Sequence, residues 1–293
     1  MRVLITGSGG FIGSNIADLL SASHKVVRSA RQPGVDVDVV IDLMDSVTVR
    51  QALLDVQPEA IIQCAGVVGD DRLAELNPKM TANMLDQVTT LKIKPKIVIC
   101  GSAAEYGIVK QQDIPVKEDT TLNAQSPYGL SKVNETRLAL KARQQFGLPL
   151  TVARLFNPVG KGMNPKLSVP NIISQARDVK VGKRRHIEVS RLDSRRDYFD
   201  VRDLAEAFKA IIEGSPKHDI YNIGSGKSTS NDELMKLVLG SIGLKETPPI
   251  IEKLKQPEPL VAIKADISRI TGELGWIPKI PLEKTVQQIV SDT

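Results

Sequence analysis

The feature that most restricts this chain is a short apolar run that passes straight into a glycine loop. Val3-Leu4-Ile5-Thr6 reads as a strand, and Gly7-Ser8-Gly9-Gly10-Phe11-Ile12-Gly13 follows it without a spacer. Residues 11–21 then carry the spacing of an amphipathic helix. Glycines at 7, 10 and 13 allow a tight strand-to-helix turn and let backbone N–H groups come close to a pyrophosphate. The helix N-terminus adds a favourable partial charge for such an anion.

The rest of the first half repeats the same alternation. Strands are predicted over 3–6, 25–29, 37–41, 60–64, 96–100 and 150–154, nearly all as continuous apolar runs, the pattern of strands buried on both faces. Helix-length segments lie between them at 11–21, 46–55, 76–91 and 126–146. This predicts an α/β fold, a doubly wound parallel sheet of the Rossmann type. After Phe156 the texture changes, with prolines at 158, 165 and 170 and shorter elements. Residues 1–156 are therefore expected to form a dinucleotide-binding domain, with 196–213 returning to it. Residues 157–195 and 214–293 are expected to form a smaller C-terminal α/β substrate-binding region. Gly226-Lys227-Ser228 is not a phosphate-binding P-loop, because the spacing needs a glycine where Tyr221 stands. It reads as a turn before a helix capped near Ser230.

Composition narrows the function classes. The chain of 293 residues is 41% hydrophobic and 25% charged, and no apolar run is long enough to span a bilayer. A formal charge of +5 suits a phosphorylated ligand without requiring nucleic acid, and 3% aromatic content leaves little for base stacking. His24, His186 and His218 fit no metal-ligand spacing, so no metal is expected. Two cysteines are too few for a disulfide scaffold, and the N-terminus has no apolar segment of signal-peptide form, so a reducing cytoplasm is the expected compartment.

Tyr128-Gly129-Leu130-Ser131-Lys132 places a phenol and an ammonium four residues apart, on one face of a helix. A phenol is a poor acid–base group near neutrality, and an adjacent Lys⁺ stabilises its ionised form. Ser102, in Cys100-Gly101-Ser102-Ala103-Ala104, ends the preceding strand at the edge where ligands of such sheets bind. It is placed to hydrogen-bond the substrate oxygen that Tyr128 protonates. The second strand ends in Ala30-Arg31 where an NAD-binding chain carries a carboxylate for the ribose 2′-hydroxyl. A guanidinium there suits a 2′-phosphate, so NADP(H) is favoured and NAD(H) is the alternative. Asp42 and Leu43, closing the third strand, are positioned for the adenine.

Taken together, the G-x-x-G-x-x-G loop, Ser102 and the Tyr128/Lys132 pair resemble the extended short-chain dehydrogenase/reductases, the nucleoside-diphosphate-sugar epimerase/dehydratase family. Cys64-Ala65-Gly66, Asn83, Arg154 to Gly160, Arg196-Asp197-Tyr198, Tyr221 to Gly226 and Leu274-Gly275-Trp276 extend the resemblance over essentially the whole chain. It implies catalytic Ser102, Tyr128 and Lys132, and cofactor contacts from Gly7, Gly10, Phe11, Ile12, Gly13, Arg31, Asp42, Leu43, Cys64, Ala65, Gly66, Tyr128 and Lys132. It also implies that Asn157 and Arg196 contact a nucleoside-diphosphate sugar, and that the chain forms a homodimer through the helices at 76–91 and 126–146. Dehydratases of this family carry an acid two places after the catalytic Ser/Thr, and that place is Ala104; Glu105 is one place late and is expected to point elsewhere. The pattern is most similar to the GDP-4-keto-6-deoxy-mannose reductases, which implies NADPH-dependent reduction of a 4-keto group. A 4-epimerase is the alternative, and a non-catalytic cofactor-sensing module a more distant one. One departure is Gln256, in Lys255-Gln256-Pro257-Glu258, where relatives have an arginine that contacts the diphosphate.

Overall fold

Strands whose successive side chains are apolar on both sides must be covered on both sides, and this governs the architecture. The computed structural model describes residues 1–68, 70, 74–244, 246–253 and 262–292. In chain order its first elements are β1 (Arg2–Thr6), α1 (Phe11–Leu20), β2 (Lys25–Ala30), β3 (Val39–Val40), α2 (Ser46–Val56), β4 (Ala60–Gln63), α3 (Leu76–Thr90), β5 (Lys96–Ser102), α4 (Pro127–Phe146) and β6 (Leu150–Leu155). There follow β7 (Asn157–Val159), α5 (Ser168–Lys180), β8 (Ile187–Val189), β9 (Arg195–Arg196), β10 (Tyr198–Asp200) and α6 (Val201–Glu213). The last are β11 (Ile220–Ile223), β12 (Thr229–Ser230), α7 (Asn231–Ile242), β13 (Ile250–Glu252), α8 (Ser268–Leu274) and α9 (Leu282–Asp292).

The main sheet has the order β11-β6-β5-β4-β1-β2-β3, and all of its pairings are parallel. Alternate residues serve opposite faces. Val3, Ile5, Ile62 and Val98 pack with Ile16 and Leu20 of α1 and with Leu204, Phe208 and Ile211 of α6. Leu4, Ile61, Ile97, Ile99 and Val152 pack with α2, α3 and α4 through Leu53, Met84, Val88 and Ala139. The doubly wound sheet expected from the sequence is therefore present. The order reverses between β1 and β4, and in such sheets the crevice beyond the strand ends at that point receives the ligand.

Two details differ from the sequence reading. β3 is only Val39–Val40, because the Val37 N–H turns back to the Gly34 carbonyl and the Asp38 carboxylate accepts from the Arg28 N–H. The run at 220–223, expected with the C-terminal region, is the edge strand of the main sheet, with Ile220 and Ile223 in register with Val152 and Leu155. Burial explains it: Tyr221 and Ile223 are fully buried against the same core as Leu155.

A further cluster lies beyond the sheet's carboxyl edge. Val169, Ile172 and Ile173 of α5, Ile187 and Val189 of β8, Leu234 and Val238 of α7, and Val286 of α9 share one core. Ser230 caps α7 in a reciprocal capping box with Glu233, as the Ser/Glu spacing demands. Among the described residues no helix is long and apolar enough to cross a membrane.

Candidate active site

The loop after β1 is shaped by contacts that exclude side chains. Gly7 has φ +69°, and a Cβ on Gly13 would stand 2.3 Å from the Gly7 carbonyl oxygen, so only hydrogen fits there. Gly10 is the N-cap of α1 and brings no side chain to satisfy the first-turn N–H groups. With no acceptor for them among the described residues, they fit a dinucleotide pyrophosphate. The Phe11 ring borders the segment at Gly160 and Gly162, and Ile12 packs against the main core.

Ser102 stands at the last position of β5 with its side chain half-buried. Its Oγ accepts from the Ala104 N–H at 3.2 Å, which leaves the hydroxyl hydrogen free to donate. The turn that follows it packs on the first turn of α4, where a Cβ on Gly129 would lie 2.6 Å from the Ala104 carbonyl oxygen. Ser126 caps α4 by accepting from the Gly129 N–H, and Pro127 occupies the first helical position. Tyr128 is thus fixed at the start of a helix pressed onto the Ser102 turn. Lys132, one helical turn on, is buried and donates to the Cys100 carbonyl at 2.8 Å and to Glu135 Oε2 at 2.6 Å. Burial pulls the Lys132 ammonium toward neutrality, but the Glu135 carboxylate and Tyr128 outweigh it and hold its pKa above the usual lysine value.

Arg31 is exposed just past β2, and no described residue pairs with it, whereas Arg28 is held by Asp18 at 2.7 Å. Asp42 caps the Met44 N–H; the Leu43 side chain is buried in the α2–α4 core and its carbonyl accepts from Asn83. Cys64, Ala65 and Gly66 follow β4, with the Cys64 N–H bonded to the Thr6 carbonyl, so they border the β1 loop. Cys64 and Cys100 are free thiols with sulfurs 3.6 Å apart. The hydrogen bond to Cys100 and burial both push the Cys64 thiol's pKa up. Asn157 donates its amide to the Asp197 carbonyl, while Arg196 is half-buried with no partner among the described residues. Neighbouring Arg195 is spent on Ser228 and Glu233. Gln256 lies outside the described residues.

Several buried polar partnerships went unread in the sequence. Glu105 is fully buried and pairs with Arg154 Nε at 2.9 Å, while its other oxygen accepts from the Ser102 N–H. It points into the core, away from the site, as its place in the sequence led us to expect, but its pairing with Arg154 was not foreseen. Asp197 accepts from the Ser225, Gly226 and Ala265 N–H groups and from the Ser225 hydroxyl, which fixes the turn after β11 beside Arg196. Glu135 is enclosed with Gln63 and Thr81. Only an acidic residue on the same helix face as Lys132 signalled the last of these.

Comparison with known proteins adds to this geometry. Residues 3–224 match the model of the NAD dependent epimerase/dehydratase family. The chain belongs to that family. Among its relatives is a GDP-6-deoxy-D-mannose reductase of Pseudomonas aeruginosa, 23% identical, with 99% of this chain and 96% of the relative covered. A UDP-glucose 4-epimerase of Bacillus subtilis is 28% identical over 97% of this chain and 94% of its own length. Among solved structures, RMD from Pseudomonas aeruginosa complexed with NADPH superposes with a TM-score of 0.87 at 25% identity, covering 99% of this chain and 98% of that one. Membership of the epimerase/dehydratase family makes this one of the NAD(P)-dependent nucleotide-sugar enzymes, a class that includes both reductases and epimerases. The resemblance read from the motifs is borne out.

Proposed function

We propose that the protein reduces the 4-keto group of a nucleoside-diphosphate 4-keto-6-deoxyhexose with NADPH. The observation that carries this is the end of β2, where Ala30 offers no carboxylate and Arg31 is exposed, with no partner among the described residues. A carboxylate there would accept from a ribose 2′-hydroxyl and repel a 2′-phosphate, whereas a guanidinium binds the phosphate with paired hydrogen bonds. The reduced nicotinamide, when bound, supplies the hydride. Tyr128 gives its phenolic proton to the carbonyl oxygen as that oxygen gains charge, and Ser102 donates a second hydrogen bond to it. Lys132 holds the nicotinamide ribose and favours the phenolate left behind. Ala104 stands where a dehydratase needs its acid, and Glu105 is committed to Arg154, which disfavours elimination chemistry.

On the same grounds residues 1–156 with 196–213 would bind the dinucleotide. Residues 157–195 and 214–293 would bind the sugar nucleotide through Asn157 and Arg196, with β11 serving the sheet. A cytoplasmic homodimer pairing α3 and α4 completes the proposal. An NAD-dependent 4-epimerase is the second reading, favoured by the epimerase relatives of comparable identity.

Arg31→Ala tests the carrying observation. It is expected to weaken NADPH binding about tenfold or more, the loss of one charged hydrogen-bond partner, and to leave NADH binding almost unchanged. Titration of the reduced cofactors by fluorescence reads both. Equal loss for the two cofactors would show that the arginine serves only the structure.

A further inference from the structure

Lys132 reaches its place at the sheet edge as half of a buried ion pair. Its side chain and that of Glu135 retain 6% and 3% of their exposure, and Nζ and Oε2 are 2.6 Å apart. Glu135 is held in turn from two other elements. Thr81 on α3 donates to Oε1 at 2.6 Å, and Gln63 at the end of β4 donates to it at 3.3 Å while also bonding Thr81. Lys132 gives a second hydrogen to the Cys100 carbonyl on β5, so one of the three ammonium donors has no acceptor among the described residues. The ammonium nitrogen lies 3.9 Å from the point a Cβ on Gly66 would occupy, at the border of the Cys64–Gly66 loop.

We propose that Glu135 is the positioning residue for Lys132, keeping its ammonium charged and directing its remaining hydrogen toward the bound dinucleotide. This rests on the assignment of Lys132 to the nicotinamide ribose. Stability alone does not account for the arrangement, since an apolar pair of similar volume is often as stable as a buried ion pair. What the pair supplies is direction and charge at a site that is nearly closed to solvent. The other titratable groups facing it are Tyr128 on the same helix, Cys100 on β5 and Cys64 after β4; α3 contributes the uncharged Thr81 and Asn77. Burial alone would favour a neutral amine, and Glu135 is the carboxylate that reverses this.

The test is a double-mutant cycle read by NADPH fluorescence on the full-length protein, without any sugar substrate. Lys132→Met is expected to weaken NADPH binding about tenfold. Glu135→Gln, which keeps the shape and removes the charge, is expected to weaken it roughly fivefold. The double variant is expected to bind within about twofold of Lys132→Met, because a residue that acts through Lys132 has nothing to act on once the lysine is gone. Glu135→Asp, with the charge on a shorter arm, is expected to recover part of the affinity, and it carries the cycle if Glu135→Gln does not fold. Losses that multiply in the double variant would overturn the proposal, as would Glu135 variants that bind like wild type while Lys132→Met does not. Wild-type binding by Lys132→Met would remove the cofactor contact itself, and with it both assignments.

Discussion

Tyr128→Phe is expected to lower turnover by about 10²–10⁴-fold while fold and cofactor affinity stay as they are. The substitution removes one oxygen from a ring whose backbone is fixed by the Ser126 cap, Pro127 and the close contact of Gly129 with the Ala104 carbonyl. Nothing in that anchoring involves the phenolic hydroxyl, so the helix start is retained and only the proton donor is lost. Ser102→Ala is expected to cost less, about one to three orders of magnitude, because it removes one oriented hydrogen bond and no proton transfer. Steady-state rates of the two variants, compared with NADPH binding and thermal melts, check the order. Tyr128→Phe with more than about a tenth of the wild-type rate would contradict the assignment of the proton donor.

Glu105→Ala is expected to cost stability of about 3–5 kcal/mol, because it strands the Arg154 guanidinium in the core. Arg154 is buried, with Nε on Glu105, Nη1 on the Glu118 carbonyl and the Tyr106 hydroxyl, and its guanidinium carbon 5.0 Å from the Tyr106 ring centre. An apolar replacement of both partners, Glu105→Leu with Arg154→Met, is expected to recover much of the loss, since neither charge is then left unpaired. Denaturant unfolding measures the stabilities, and activity per folded molecule separates structure from chemistry. A Glu105 variant that folds like wild type but fails to turn over would make this carboxylate a participant in the reaction, which its burial argues against.

How far the sequence could be read follows from the range of the interactions concerned. The alternating strands and helices were legible because the central strands β1, β4, β5 and β6 are buried on both faces and show it as largely apolar runs. The glycine loop and the Tyr128–Lys132 pair were legible because the turn and the helix that form them are local. β11 was not, since four residues between turns show nothing of their register with β6. Nor was Glu135: on the mostly polar α4, whose buried face mixes Gly129, Ser131, Lys132 and Thr136 with alanines, it looks like a solvated charge. Its burial depends on Gln63 and Thr81, which other elements deliver. The role of Asp197 and the Arg154 partner of Glu105 escaped for the same reason, since distant strands and turns deliver them.

Net reduction is measured by the consumption of reduced cofactor. Purified protein given NADPH and a 4-keto-6-deoxyhexose nucleotide is expected to lose absorbance at about 340 nm in proportion to the keto sugar added, one cofactor oxidised per sugar. An epimerase restores its cofactor in every cycle and shows no net change. Protein that carries NAD(H) through gel filtration, and interconverts a UDP-hexose with its 4-epimer without added NADPH, would contradict the reductase assignment.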